Sequence, residues 1–257
     1  MAKSARSNSS GESAVSNGAG LFGRLVFGLA ATLAFPAAGA AIAAEGRLAR
    51  TVGFSDYQKG PIEDWLKSKG FKFQLDARLR NAIDLGIGEK GLDLIAKKPA
   101  LGVMPNEAVN VRKFRYLEID WGVNKYPGAA SWENGVRNQA IMVIVFLGDQ
   151  RQPSGSMFIP DSPYFIGLFL CSGNDRTNHP FVGAHFKKGG RYVCADKAPE
   201  GKLITSRFDL MAAYREYFDK EKDDDPAVTG IALEIDTTKA KDGGKSSAFI
   251  KEIRFFR

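Results

Sequence analysis

The chain has 257 residues, 44% hydrophobic and 25% charged, which is the balance of a globular protein with a sizeable core in one large domain or two small ones. The formal net charge is +7, and three of the 36 basic and one of the 29 acidic groups lie in the first 44 residues, leaving a mildly basic +5 for the rest. No dense Lys/Arg tract and no basic stretch interleaved with aromatics occurs, which argues against nucleic acid as a partner. The residual positive charge suits solubility or attraction to acidic polysaccharide and lipid headgroups.

The N-terminus reads as a targeting segment. Lys3, Arg6 and Arg24 precede "LVFGLAATLAFPAAGAAIAA", which carries no charge, and Ala41-Ile42-Ala43 fits the small-x-small rule for cleavage. Residues 1–44 are therefore expected to be a signal peptide cut near Ala43 or Ala44. The rival reading is a retained membrane anchor, because Leu25 to Ala44 is long enough to span a bilayer. Either way residues 45–257 are exported, periplasmic or secreted, as a single domain that touches a membrane only through an uncleaved N-terminus.

Further along, "LARTVGF" reads as a first strand and "GPIEDWLKSKG" as a short helical turn started by Pro61 and ended by Gly70. "FKFQLDARL" alternates with period two, the pattern of a half-buried strand. "AIDLGIGEKGLDLIAKK" gives two alternating runs about "GEKG", a hairpin. The same stretch holds Gly86-x-Gly88-x-x-Gly91, but a dinucleotide site needs a helix directly after the glycines, and the segment that follows alternates like a strand. No nucleotide is expected.

"VRKFRYLEIDWGV" is the next strand, and "AIMVIVFLG" and "SPYFIGLFLC" are continuously apolar, as central strands buried on both faces are. "PFVGAHF", the turn "KKGG" and "RYVCA" form another hairpin. "ITSRFDLMAAYREYFDKE" carries Leu210, Met211, Tyr214, Tyr217 and Phe218 at helical spacing, with Ser206 and Asp209 as candidate caps. Asp223, Asp224 and Asp225 belong to a solvated loop. "VTGIALEID" and "SAFIKEIRFF" close the fold. Nine or ten short strands with one amphipathic helix near the C-terminal third define an all-β antiparallel sandwich of jelly-roll, galactose-binding-like type.

The order of segments resembles a bacterial domain-of-unknown-function family of exported proteins, number three thousand and forty-seven in that series. "YLEIDWGVNKYP" is similar to its aromatic strand, usually W-x-W-x-V, "AIMVIVFLG" and "PYFIGLFLCSGND" to its apolar strands, "ITSRFDLMAAYREYF" to its helix segment, and "PAVTGIALEIDTT" with "FIKEIRFF" to its closing pair. Three departures stand out. Ile119 replaces the first tryptophan, Arg137-Asn138-Gln139 stands where acidic residues are common, and "DTTKAKD" replaces Asp-x-Asp-Asn. The resemblance implies a jelly roll similar to carbohydrate-binding modules and implies no reaction.

Alternation puts Tyr116, Glu118 and Asp120 on one face of their strand and Leu117, Ile119, Trp121 and Val123 on the other. Carboxylates two residues apart on a strand have the spacing that glycosidases use. "EID" also resembles the start of the E-x-D-x-x-E motif of retaining endoglucanases, but Gly122, Val123 and Asn124 supply no second acid. A hydrolase using Glu118 and Asp120 is thus the alternative. The leading expectation is noncovalent binding of glycan or another envelope component by Tyr116, Glu118, Asp120, Tyr126 and Trp132, with no catalytic residue. A structural or assembly role in the envelope is the third reading, and a solvated strand face accounts for the same residues.

No cofactor is implied. Calcium would suit the oxygen donors of Asp56, Asp236 and Asp242, although no D-x-D-x-D-G loop is present. His179 and His185 lack zinc-type spacing or a nucleophile partner. Cys171 and Cys194 are the two cysteines, read either as a disulfide between neighbouring strands or as two buried thiols.

Overall fold

The computed structural model describes residues 46–173, 175–221 and 224–257. The expected signal segment, and Asp223 of the acidic run, lie outside the described residues. In chain order the strands begin with β1 (Leu48–Gly53), β2 (Gln74–Leu75), β3 (Ile83–Gly88), β4 (Gly91–Ala96), β5 (Leu101–Asn106), β6 (Tyr116–Lys125) and β7 (Gln139–Gln152). They continue with β8 (Ser162–Leu170), β9 (Pro180–Phe181), β10 (Gly190–Asp196), β11 (Ile204–Asp209), β12 (Val228–Asp236) and β13 (Ser246–Phe256). Two short helices, α1 (Ile62–Ser68) and α2 (Leu210–Tyr217), accompany them.

The strands form two sheets. The six-stranded sheet runs β11-β6-β13-β4-β3, with β1 also paired to β13, and the seven-stranded sheet runs β2-β5-β12-β7-β8-β10-β9. All pairings between named strands are antiparallel except β8 with β10. The fold is the antiparallel β-sandwich that the alternation predicts. Leu117, Ile119, Trp121 and Val123 of one sheet join Ile141, Val143, Val145, Ile231, Leu233 and Ile235 of the other in one buried core. At about 25 cal/mol per Å² of apolar surface, this layer is the main source of stability.

The seven-stranded sheet is also covered on its outer face. Met142, Ile144, Phe165, Phe169 and Ala232 form a second apolar layer there, with Trp132 from the loop after β6 packed onto it. This second layer explains why the middle of β7 is apolar at every position: both of its faces are buried.

Local departures from the sequence reading have simple causes. Most of "FKFQLDARL" is not strand: Gln74 and Leu75 alone pair, with β5, and a short 3-10 turn follows at Asp76–Arg78. The run "ITSRFD" is strand β11 rather than the first turn of a helix, because it pairs with β6 along its length. Asp209 caps α2 by accepting from the Ala212 N–H, whereas Ser206 accepts the buried indole N–H of Trp121 at 2.9 Å. The GxGxxG stretch is the β3–β4 hairpin, with Gly88 opposite Gly91.

Candidate functional site

The sequence-derived ligand residues do not share a site. Tyr116, Glu118 and Asp120 lie on the outer face of the six-stranded sheet, whereas Trp132 lies on the outer face of the seven-stranded sheet. Tyr126 follows β6, donates its hydroxyl to the Ala198 carbonyl at 2.8 Å and takes Glu200 on its backbone N–H. Burial and the nearby Glu200 raise its phenol to about 12, against the Ala198 bond.

Glu118 and Asp120 are engaged in ion pairs. Arg254 of β13 donates to both oxygens of Asp120 at 2.9 and 3.0 Å and to Glu118 at 3.2 Å, and it also contacts Glu252. Thr205 of β11 donates to Asp120 at 2.6 Å, and Arg207 reaches Glu118 at 3.4 Å. Partial burial opposes ionisation of Asp120, but the Thr205 and Arg254 bonds and the guanidinium charge outweigh it and hold the carboxyl below its usual range. A carboxylate held ionised in this way is neither a proton donor nor an available base. Tyr116 is enclosed by Arg115 and Arg207, 4.7 and 4.4 Å from its ring centroid. This face is a cross-strand charge network.

The three aspartates considered for calcium each have another partner. Asp56 pairs with Lys69 at 2.6 Å, Asp242 with Lys125 at 3.4 Å, and Asp236 accepts from the Thr238 backbone and hydroxyl. Among the described residues no group of three or more His, Cys, Asp or Glu side chains could hold a metal ion. Cys171 and Cys194 are joined in a disulfide.

The chemically distinctive cluster lies on the outer face of the seven-stranded sheet. Its centre is Glu234 of β12, a half-buried carboxyl in a strand flanked by β5 and β7. Burial, reinforced by the nearby Asp236 charge and opposed by a Gln139 hydrogen bond, pushes it up to about 8. The bond runs from Gln139 Nε2 to Glu234 Oε1 at 2.8 Å.

A β-bulge makes that contact. Met142 opposes Glu234 but Gln139, not Ala140, opposes Asp236, so β7 carries one extra residue there. The bulge lets Ala140 and Ile141 both join the inner core while Gln139 turns to the outer face.

Trp132 closes the other side. Its ring stacks with Tyr192 of β10 at 4.7 Å and Phe169 of β8 at 5.2 Å between centroids. Gly167 leaves room for this arrangement: a Cβ there would meet Met142 Sδ at 2.6 Å and Tyr192 Cδ1 at 3.3 Å. The turn that carries Trp132 is fixed from below by Asp175, which accepts from the Ser131 hydroxyl and from the backbone N–H groups of Trp132 and Glu133. Asp175 lies four residues after Cys171, so the disulfide to β10 anchors the loop that holds the tryptophan. Burial raises the Tyr192 phenol strongly; Glu234 adds to that effect and Arg137 opposes it, so both charged side chains lie within electrostatic reach of Tyr192.

The cluster leaves buried polar atoms unpartnered. Trp132 Nε1, Gln139 Oε1 and Asn138 Nδ2 have no hydrogen-bond partner among the described residues, although Trp132 is only 7% exposed and Asn138 and Gln139 only 2%. Leaving such a group unsatisfied costs about 1–3 kcal/mol. One of these atoms, Gln139 Oε1, belongs to the amide that bonds the half-buried Glu234, and another, Trp132 Nε1, belongs to the ring stacked on Tyr192; orphaned buried groups of this kind call for an explanation.

Sequence reading found Trp132 but missed Glu234, Gln139, Arg137 and Tyr192. The available signal was "IALEID", where acids alternate with core aliphatics in a strand that must lie inside the sheet.

No family model matches the chain, and no curated protein matches it. Among solved structures it is similar to the catalytic domain of Humicola grisea Cel12A in complex with a soaked thio cellotetraose, at 12% identity and a TM-score of 0.35, covering 74% of this chain and 88% of that one. A likeness that loose carries no argument about fold or function.

Proposed function

We propose that this protein is an exported noncovalent glycan-binding module of the periplasm or the extracellular space, related to the domain-of-unknown-function family that its segments resemble. Its site is the outer face of the seven-stranded sheet around Glu234. The observation that carries this reading is the set of unpartnered buried groups, Trp132 Nε1 and Gln139 Oε1, beside Glu234 and the aromatic pair Trp132 and Tyr192. Sugars offer hydroxyls that both donate and accept, together with apolar ring faces, so a mixed donor, acceptor and aromatic surface suits them. A glycan array with the protein, followed by calorimetry on each hit, tests the reading. Binding that weakens at least about tenfold in Glu234→Ala, in line with the loss of one buried polar contact, supports it. An array without hits rejects it.

One observation favours a second reading, glycan hydrolysis. Glu234, pushed up to about 8, shares a strand face with Asp236 two residues on, whose carboxylate is held by Thr238. Acid and base roles split between two such carboxyl groups define glycosidases. Release of reducing ends that disappears in Glu234→Gln would make the protein a hydrolase. Bound but uncleaved glycan keeps it a binding module.

A further inference from the structure

We propose that the Glu234 face selects glycans that carry a carboxylate, and that Arg137 together with the indole N–H of Trp132 receives that group. This rests on the glycan-binding reading and narrows its ligand to acidic sugars such as uronic acids.

Arg137 is the first observation. Its guanidinium lies over the Trp132 ring, 5.8 Å from the centroid, and is half-buried. Among the described residues it makes no ion pair and no hydrogen bond. The other partly covered arginines among the described residues all have polar partners: Arg80 meets Glu63, Arg215 meets Asp225, Arg254 meets Asp120, and Arg191 donates to the Lys187 and Gly190 carbonyls. A guanidinium stacked on an indole with its fork unused is pre-oriented for a planar carboxylate, which it can hold through two parallel bonds.

The balance of donors is the second. Trp132 Nε1 is an unpartnered buried donor and Gln139 Oε1 an unpartnered buried acceptor, and the unused Arg137 fork adds further donors. The Tyr192 hydroxyl also lacks a hydrogen-bond partner among the described residues. A site richer in donors than acceptors suits a ligand richer in acceptors, and a carboxylate offers only acceptors.

The charge around the site permits an anion. With its carboxyl pushed up to about 8, Glu234 is largely protonated at neutral pH and does not repel one. At Tyr192 the charge of Asp236, which Thr238 hydrogen-bonds but does not neutralise, is opposed by that of Arg137. The net +5 of residues 45–257 draws polyanions toward the protein at long range.

The test compares a uronic-acid oligosaccharide with its neutral methyl ester, by calorimetry at pH 6.5, on the full chain and on Arg137→Met. Thermal melting confirms that each variant is folded. Arg137→Gln replaces Arg137→Met if the latter fails to fold. The expected result is at least about tenfold tighter binding of the acid by the wild type, the size of one charge-assisted hydrogen bond, and parity between acid and ester in the variant. Trp132→Phe, which removes the N–H and keeps an aromatic ring, should reduce the acid preference without abolishing ester binding. Equal binding of acid and ester by the wild type overturns the inference and leaves the glycan reading intact. An acid preference that survives in Arg137→Met overturns the role of Arg137. If neither acid nor ester binds while other glycans do, the inference falls alone, and if no glycan binds, both fall.

Discussion

Gln139 donates its amide N–H to Glu234 at 2.8 Å while its own carbonyl oxygen, equally buried, has no partner among the described residues. The two side chains meet because β7 bulges next to Asp236, and the price of that meeting is an acceptor left dry and a carboxyl that resists ionisation.

This pair makes stability depend on pH. The Glu234 carboxyl has an ordinary value of 4.5 in the unfolded chain and about 8 in the folded one. Below the lower value both states hold the proton. Between the two values the folded state keeps a proton that the unfolded chain releases, so stability falls as pH rises through the window and levels off above about 8. Each tenfold difference in proton affinity between the two states is worth about 1.4 kcal/mol, and because Glu234 is partly accessible we expect a total loss of about 2–4 kcal/mol. Urea unfolding from pH 4 to 9 should show the wild type losing this amount relative to Glu234→Gln, which has no proton to release. Parallel curves for the two proteins would remove the buried carboxyl from the description of the site.

Asp175 should matter to Trp132 more than any residue that touches the indole. It supplies the acceptor for one hydroxyl and two backbone N–H groups of the turn at 131–133. Asp175→Ala leaves those donors without a partner, and we expect a loss of about 2–3 kcal/mol, the range for hydrogen bonds to a charged group. The Trp132 ring should also leave its stack with Tyr192, visible as a change in near-ultraviolet circular dichroism. Asp175→Asn, which keeps an acceptor oxygen, should recover part of both signals. A melting temperature and spectrum unchanged in Asp175→Ala would contradict this anchoring.

The disulfide supports the same loop. Cys171 and Cys194 are separated by 23 positions, so in the chain-entropy account the bond stabilises the fold by about 3 kcal/mol. Replacing both cysteines by serine should lower unfolding free energy by that amount and weaken any ligand that depends on Trp132. Loss of stability with undiminished ligand affinity would separate the loop anchor from the site.

Much of the fold is legible in local pattern, and much of the site is not. Alternation in "YLEIDWGV" puts Glu118 and Asp120 on one face without any knowledge of neighbours, and the unbroken apolar run of β7 shows that both its faces are covered. What pattern cannot supply is the partner across the sheet. Arg254 is 134 positions from Asp120, and Gln139 is 95 positions from Glu234. A promising carboxylate pair therefore proves engaged by arginines, while Glu234 of "IALEID" meets no cation among the described residues. The bulge compounds this. Strict alternation from Met142 would send Ala140 outward, and one inserted residue sends Gln139 there instead. Within the short stretch Arg137-Asn138-Gln139, Arg137 reaches the Trp132 ring and Gln139 reaches Glu234, contacts that no local pattern announces.

Arg254 provides the contrasting test on the opposite sheet. It meets three carboxylates: Glu118 and Asp120, brought to it by the pairing of β6 with β13, and Glu252, two residues before it on its own strand. Arg254→Met keeps the aliphatic stem and removes the charge shared by the three carboxylates, leaving Arg207 on Glu118. Their side chains are mostly covered, at 19%, 13% and 27% exposure, so water screens the repulsion only in part. We expect a loss of about 2–4 kcal/mol at neutral pH, in the range for breaking a partly buried pair by removing one partner. Because Asp120 is held below its usual range in the wild type, its contribution is present above the unfolded value and disappears as pH falls through the folded one. The Met variant should therefore approach the wild type in stability in acid, where its carboxylates take up protons, and diverge from it at neutral pH. Glycan affinity should be unchanged in Arg254→Met and in Glu118→Gln, since neither side chain lies on the Glu234 face. A fall in affinity in folded Glu118→Gln would return the ligand to the six-stranded sheet and displace the site proposed around Glu234.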